Sequence, residues 1–140
     1  MGTHTADGLL RFDLECAFRD VFLARLEALG RLDAVVTQNI DSLHQLAGSR
    51  RVIAVHGDYT TSHCLVCGAA CPLQELRALV GRMEVPRCHC GGVLKPDVVF
   101  FGENVRDLDA AAAAVASSDL LLVLGSSLTV YPAADRKSVV

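Results

Sequence analysis

Eight consecutive residues hold the densest polar chemistry of this chain: Thr37-Gln38-Asn39-Ile40-Asp41-Ser42-Leu43-His44. Gln38 and Asn39 each bring an amide that donates and accepts, and Asp41 adds a carboxylate. Groups of this kind hold hydroxyls or a water molecule in fixed directions. His56-Gly57 follows downstream. An imidazole titrates near neutral pH, which suits it to general-base work. A blander reading of the same stretch is a polar strand-to-helix turn, with Asp41 or Ser42 capping a short helix.

Cysteines form the second constellation. Cys64-Leu65-Val66-Cys67-Gly68 is a knuckle, and Cys88-His89-Cys90-Gly91-Gly92 follows twenty intervening residues later. The pattern is close to a paired zinc template, with a tighter bite between Cys88 and Cys90. Cys64, Cys67, Cys88 and Cys90 are the expected ligands of one structural zinc. Four protein ligands leave no open position for water, so such a metal holds structure and does no chemistry. Cys71 and His89 are possible substitute ligands, and four unmetallated thiols are the alternative. Cys16 reads as a core residue.

The elements that must position these groups follow from periodicity. Phe18, Phe22, Leu26 and Leu29 share one helical face over 15–29, with Gly30 as a C-terminal cap. A buried strand is expected at 34–37, a short helix at 41–47 ending at Gly48, and a strand at 52–55 that delivers His56. A small helix is expected over 72–80. Pro96 is awkward in a central strand, so the next strand is expected to start at Val98 and run to Phe101. An alanine-rich helix follows over 107–118. Leu120-Leu121-Leu122-Val123-Leu124 reads as a strand buried on both faces, and Gly125-Ser126-Ser127 as the start of another helix. Strands alternating with helices imply an α/β fold with a parallel sheet. The cysteine region is a small module inserted in it. The expected division is 1–57 and 93–140 for a partial Rossmann-like domain, and 58–92 for the zinc-binding module.

Composition narrows the partners. The net charge is −3 and tryptophan is absent, which argues against nucleic acid. No apolar run reaches the length of a membrane span, so no membrane partner is expected. Residues 1–7 carry no Lys or Arg, so no secretory leader is expected there. Six cysteines without such a leader suit a reducing, cytoplasmic setting.

The order and spacing of these motifs resemble the sirtuins, the NAD-dependent protein lysine deacylases. The likeness rests on the Thr37–His44 run, Ala47-Gly48, His56-Gly57, the two cysteine pairs, Lys95-Pro96-Asp97-Val98-Val99-Phe100-Phe101-Gly102-Glu103, and Gly125-Ser126-Ser127-Leu128. The runs Ala47-Gly48-Ser49-Arg50-Arg51-Val52 and Leu94-Lys95-Pro96-Asp97 look most like the class II branch. The resemblance implies removal of acyl groups from lysine side chains, giving nicotinamide and O-acyl-ADP-ribose. It implies NAD and zinc as cofactors and an acyl-lysine protein as partner. It makes His56 the catalytic base, assisted by Asn39. It makes Gln38, Asn39, Asp41, Gly125, Ser126 and Ser127 cofactor-binding residues. Val99 and Phe101 become walls of the acyl-lysine tunnel, and Gly102 and Glu103 the segment that pairs with substrate backbone.

The chain departs from the pattern at both ends. Nothing in 1–31 matches the family's glycine-rich phosphate loop, and 135–140 does not match the family's continuation. The resemblance therefore describes the middle of a sirtuin, with weak NAD binding or none expected from these residues alone. The competing function is a non-catalytic remnant that serves as a zinc-containing structural or binding module.

Overall fold

The computed structural model describes residues 19–125. Helix α1 occupies 19–28 of them. Strand β1 is Val35–Thr37, helix α2 Leu43–Leu46 and strand β2 Val52–Ala54. Strands β3, Gly57–Cys64, and β4, Ala70–Pro72, are followed by helix α3, Leu73–Val80. Strand β5 is Leu94–Val98 and helix α4 is Leu108–Ala116. The expected helix at 15–29 is thus present from residue 19, while 15–18, Cys16 and Phe18 lie outside the described residues. No helix among the described residues is long and apolar enough to cross a membrane.

The chain forms two compact units. One holds the described residues up to Thr37, Leu43–Ile53, and those from Asp107 on. Within it β1 pairs with β2, and the connection between them runs through α2, the crossover a parallel pair requires. The Glu27 carboxylate accepts the backbone N–H groups of Arg50 (2.8 Å) and Arg51 (2.9 Å), tying α1 to the start of β2. His44 Nδ1 lies 2.8 Å from Asp20 of α1, another tie between helix and motif.

The other unit holds Gln38–Ser42 and Ala54–Arg106. Its sheet has the order β4-β3-β5 and both pairings are antiparallel. Cys64, Cys71, Leu76 and Leu94 form its core beneath α3. Leu76 is the buried residue of that helix, and Pro72 occupies its N-cap with no side-chain hydrogen bond.

Two expectations are corrected. Strand β5 includes Pro96, which faces Ser62. β5 is an edge strand of the three, so a residue without an N–H is tolerated there. The strand ends at Val98, where a start had been expected, and Phe101-Gly102 forms a turn. Leu120–Leu124 forms no strand among the described residues, and its side chains are 42–83% exposed. A strand needs a partner for its backbone groups, and none of the described residues supplies one to this run.

Gly57 shows why the histidine is followed by glycine. Its φ is +69°, and a Cβ placed there would stand 1.9 Å from the carbonyl oxygen of Asp97. The left-handed backbone alone costs another residue about 1–2 kcal/mol, and the overlap would force β3 and β5 apart. Gly57→Ala is expected to lower the melting temperature by at least about 5 °C. Gly81, at φ −69° with its nearest neighbour at 3.6 Å, is the control, and Gly81→Ala should leave the melt unchanged or raise it. Thermal denaturation followed by circular dichroism compares the two.

Candidate functional site

The apolar strand β1 ends at Thr37, and the chain then leaves its unit for five residues, Gln38–Ser42. His56 meets this loop. Its Nδ1 lies 3.1 Å from the backbone carbonyl of Gln38. A carbonyl only accepts, so Nδ1 carries the proton and donates it, and Nε2 keeps the lone pair. The histidine is thereby held in the tautomer of a base, on a segment fixed from both sides. The Val99 N–H donates to the His56 carbonyl at 2.9 Å, and the Arg106 N–H donates to that of Val55, also at 2.9 Å. Tyr59 reaches the other end of the loop, its hydroxyl donating to the Asp41 carbonyl at 3.3 Å. Gln38, Asn39, Asp41 and His56 therefore lie in one unit. Gly125 belongs to the other, and Ser126 and Ser127 lie outside the described residues.

The segment after β5 is built around Lys95. Its ammonium lies 2.8 Å from the Val98 carbonyl, 3.0 Å from Glu103 Oε2 and 4.6 Å from the centre of the Phe100 ring. Glu103 also accepts the Phe100 N–H at 2.9 Å. That hydrogen bond, followed by the Lys95 contact, holds the Glu103 carboxyl below the usual carboxylate range. Val99 is half-buried, while Gly102 and Phe101 are exposed, Phe101 completely. The Glu103 side chain is thus committed within its own loop. Sequence reasoning quoted Lys95 only as part of a motif and gave it no role. A lysine five residues from a run of aromatics and followed by Pro-Asp carries no spacing signal for such a cage.

Asp97 carries no spacing signal either. Partial burial works against its ionisation. The hydrogen bonds from Thr61 and His63 and the charge of Arg106 outweigh that and hold its pKa below the usual value. Its carboxylate lies 2.6 Å from the Thr61 hydroxyl and 2.5 Å from His63 Nδ1.

The metal centre is built by two knuckles. The Gly68 N–H donates to the Cys64 carbonyl, and the Gly91 N–H to that of Cys88. These turns bring the sulfurs of Cys64, Cys67, Cys88 and Cys90 all within 4.8 Å of one another. Cys64 and Cys90 are 3.4 Å apart, and Cys67 and Cys88 are 3.7 Å apart. A tetrahedral zinc with four bonds of about 2.3 Å needs edges of about 3.8 Å, so the set fits that ion. Backbone N–H groups of Cys67 and Val66 outweigh burial and lower the Cys64 thiol to a pKa of about 6, which prepares the thiolate a metal needs. Gly92 packs against this sulfur. A Cβ there would stand 2.5 Å from Cys64 Sγ and 2.9 Å from Val66. The two substitutes fall outside the four-sulfur group. Cys71 sits in the core, where burial raises its pKa, and His89 Nδ1 lies 3.2 Å from Cys88 Sγ.

A profile of the Sir2 family matches residues 4–132. The chain belongs to the Sir2, or sirtuin, family. It is 53% identical over 112 residues to an NAD-dependent protein deacetylase of Sulfolobus acidocaldarius, covering 79% of this chain and 44% of that protein. It is 51% identical over 114 residues to one of Cutibacterium acnes, covering 80% and 46%. Among solved structures, "Sir2-p53 peptide-NAD+" aligns with a TM-score of 0.80 and 41% identity, over 86% of this chain and 50% of that one. A second, "Sir2 bound to acetylated peptide", aligns with the same score and identity and covers 51% of its chain. The sirtuin chain therefore spans about half the length of the relatives it matches. The Rossmann-like α/β fold and the cysteine module agree with what its sequence implied.

Two outcomes test the site's construction. The purified sirtuin chain should carry about one zinc by elemental analysis. Cys64→Ser should lose it, whereas Cys71→Ser should retain it. Retained zinc in the first variant would remove Cys64 from the ligand set. Asp97 gives a pH test. Its pKa is depressed in the fold, so its stabilisation is complete above the unfolded value near about 4 and is lost as pH falls through the folded one. The melting temperature of the wild type should exceed that of Asp97→Asn at pH 6, and the gap should close on acidification below about pH 4.

Proposed function

We propose that this chain carries the central part of an NAD-dependent protein deacylase, with His56 as the general base. The observation that supports it most directly is the hydrogen bond from His56 Nδ1 to the Gln38 carbonyl, which leaves Nε2 to take a proton. The same histidine stands beside a loop with two amides and a carboxylate, a donor and acceptor set suited to ribose hydroxyls. NAD, when bound, supplies the carbon that receives the acyl oxygen and gives up nicotinamide. Gln38 and Asn39 orient hydroxyls, and Asp41 lines the nicotinamide side. His56 removes a proton from a hydroxyl held there. Val99 and Phe101 offer apolar walls to an acyl-lysine side chain, and Gly102 and Glu103 offer backbone groups to the peptide. Gly125, Ser126 and Ser127 complete the dinucleotide contacts.

The zinc-binding module in this reading is 58–92, set into a Rossmann-like domain formed by 1–57 and 93–140. Zinc bound by Cys64, Cys67, Cys88 and Cys90 supports the fold and takes no part in the chemistry. The setting is cytoplasmic, where thiolates stay reduced.

The test joins this chain to the segments of the Cutibacterium acnes relative that lie outside the matched region. The hybrid should release nicotinamide from NAD in the presence of an acyl-lysine peptide. His56→Ala should lower that rate by about 10² to 10⁴ while zinc content is unchanged. Asn39→Ala should act on turnover, and Asp41→Ala on nicotinamide exchange. Full activity of His56→Ala would remove it from the catalytic role.

A further inference from the structure

Strands β3 and β5 pair in two registers that do not match. Gly57 faces Val98 and Ser62 faces Pro96, with an irregularity between. Between those two pairs β5 has only Asp97, whereas β3 has residues 58–61. Three residues of β3 must therefore leave the ladder. Bulges of this kind redirect a side chain that a regular strand would aim elsewhere.

The excursion has a built apex and a built base. At the apex the Asp58 carboxylate accepts the Thr60 N–H at 2.8 Å and also the Thr60 hydroxyl. At the base the Asp97 carboxylate accepts from Thr61 and His63, and the Arg106 guanidinium stands 3.7 Å from it. Between apex and base Tyr59 swings out and donates to the Asp41 carbonyl. The loop it reaches is gripped at its other end by His56. The loop closes on Ser42 at φ +57°, a left-handed backbone that serine adopts only when its surroundings impose it.

We propose that the β3 bulge is a positioning device for the 38–42 loop, with Tyr59 as its arm and Asp97 as its base. Tyr59 and His56 lie on one short segment, so the bulge fixes the Asp41 end of the loop relative to the base. Tyr59 is a positioning residue: it acts through the Asp41 backbone. The meaning for nicotinamide rests on the deacylase reading, but the geometry does not.

The first test is amide hydrogen exchange on this chain. Tyr59→Phe keeps the ring and removes the hydroxyl. Exchange at residues 39–43 should rise about three- to tenfold, as loss of one hydrogen bond implies, while the amides of 61–64 stay unchanged. The nitrogen NMR signature of the His56 Nδ1–H tautomer should persist. Asp97→Asn should speed exchange both at 61–64 and in the loop. Should Asp97→Asn fail to fold, Tyr59→Phe still decides. Unchanged loop exchange in Tyr59→Phe overturns the proposal. The second test uses the hybrid deacylase. Tyr59→Phe should shift inhibition by nicotinamide by the same three- to tenfold and leave the KM for acyl peptide alone, a split that general loosening would not produce. An unmoved loop beside an active hybrid would remove the bulge and keep the deacylase reading. A mobile loop beside an inactive hybrid would do the reverse.

Discussion

Four sulfur atoms must meet within 4.8 Å, and the second unit is arranged to let them. Cys64 is the last residue of β3, and Cys88 and Cys90 stand just before β5. A zinc at that point joins the ends of the two strands. It does so beside the core of Cys71, Leu76 and Leu94, which is small for a unit of this length. Small cores commonly need such a staple, because the apolar area they bury does not by itself offset chain entropy. The steric limit at Gly92 belongs to the same requirement, since any side chain there would displace the Cys64 sulfur.

The constraint reaches the proposed chemistry through one strand. β3 begins at Gly57 and ends at Cys64. Its first residue follows His56, and its last is a metal ligand. Gly57 lies against the Asp97 carbonyl, so the strand start is seated on β5. Val99, just beyond β5, then bonds the His56 carbonyl. Lys95, at the other end of that stretch, holds Val98, Phe100 and Glu103 in one cage. Backbone contacts thus fix the path of the His56 segment, while the Lys95 and Glu103 side chains hold the segment that follows β5.

Much of this was legible in the sequence, for reasons that differ by element. The cysteine pairs were visible because ligand spacing is set by covalent geometry and is independent of context. The polar run after β1 was visible because an apolar strand ends there abruptly. Helices α3 and α4 followed from ordinary periodicity and alanine content. Pro96 misled because a proline's cost depends on whether its strand is an edge, and edge position is a property of the assembled sheet. Leu120–Leu124 misled in the opposite direction: five apolar residues announce a buried strand, but burial needs covering partners that composition cannot supply. Asp97 and Tyr59 stayed hidden because their partners depend on a register slip between β3 and β5, which no local pattern encodes, and Lys95 because its cage with Val98, Phe100 and Glu103 forms only where the chain turns after β5.

Strand β3 runs from the His56 segment to the metal cluster and makes the two one mechanical unit. Removing zinc from the folded chain with a chelator, while following amide exchange residue by residue, probes that coupling. Protection at Cys64 and Leu94, beside the cluster, and at Val99 and Arg106, beside His56, should fall together and at the same chelator concentration. Loss of protection at the cysteines with Val99 and Arg106 unaffected would contradict it.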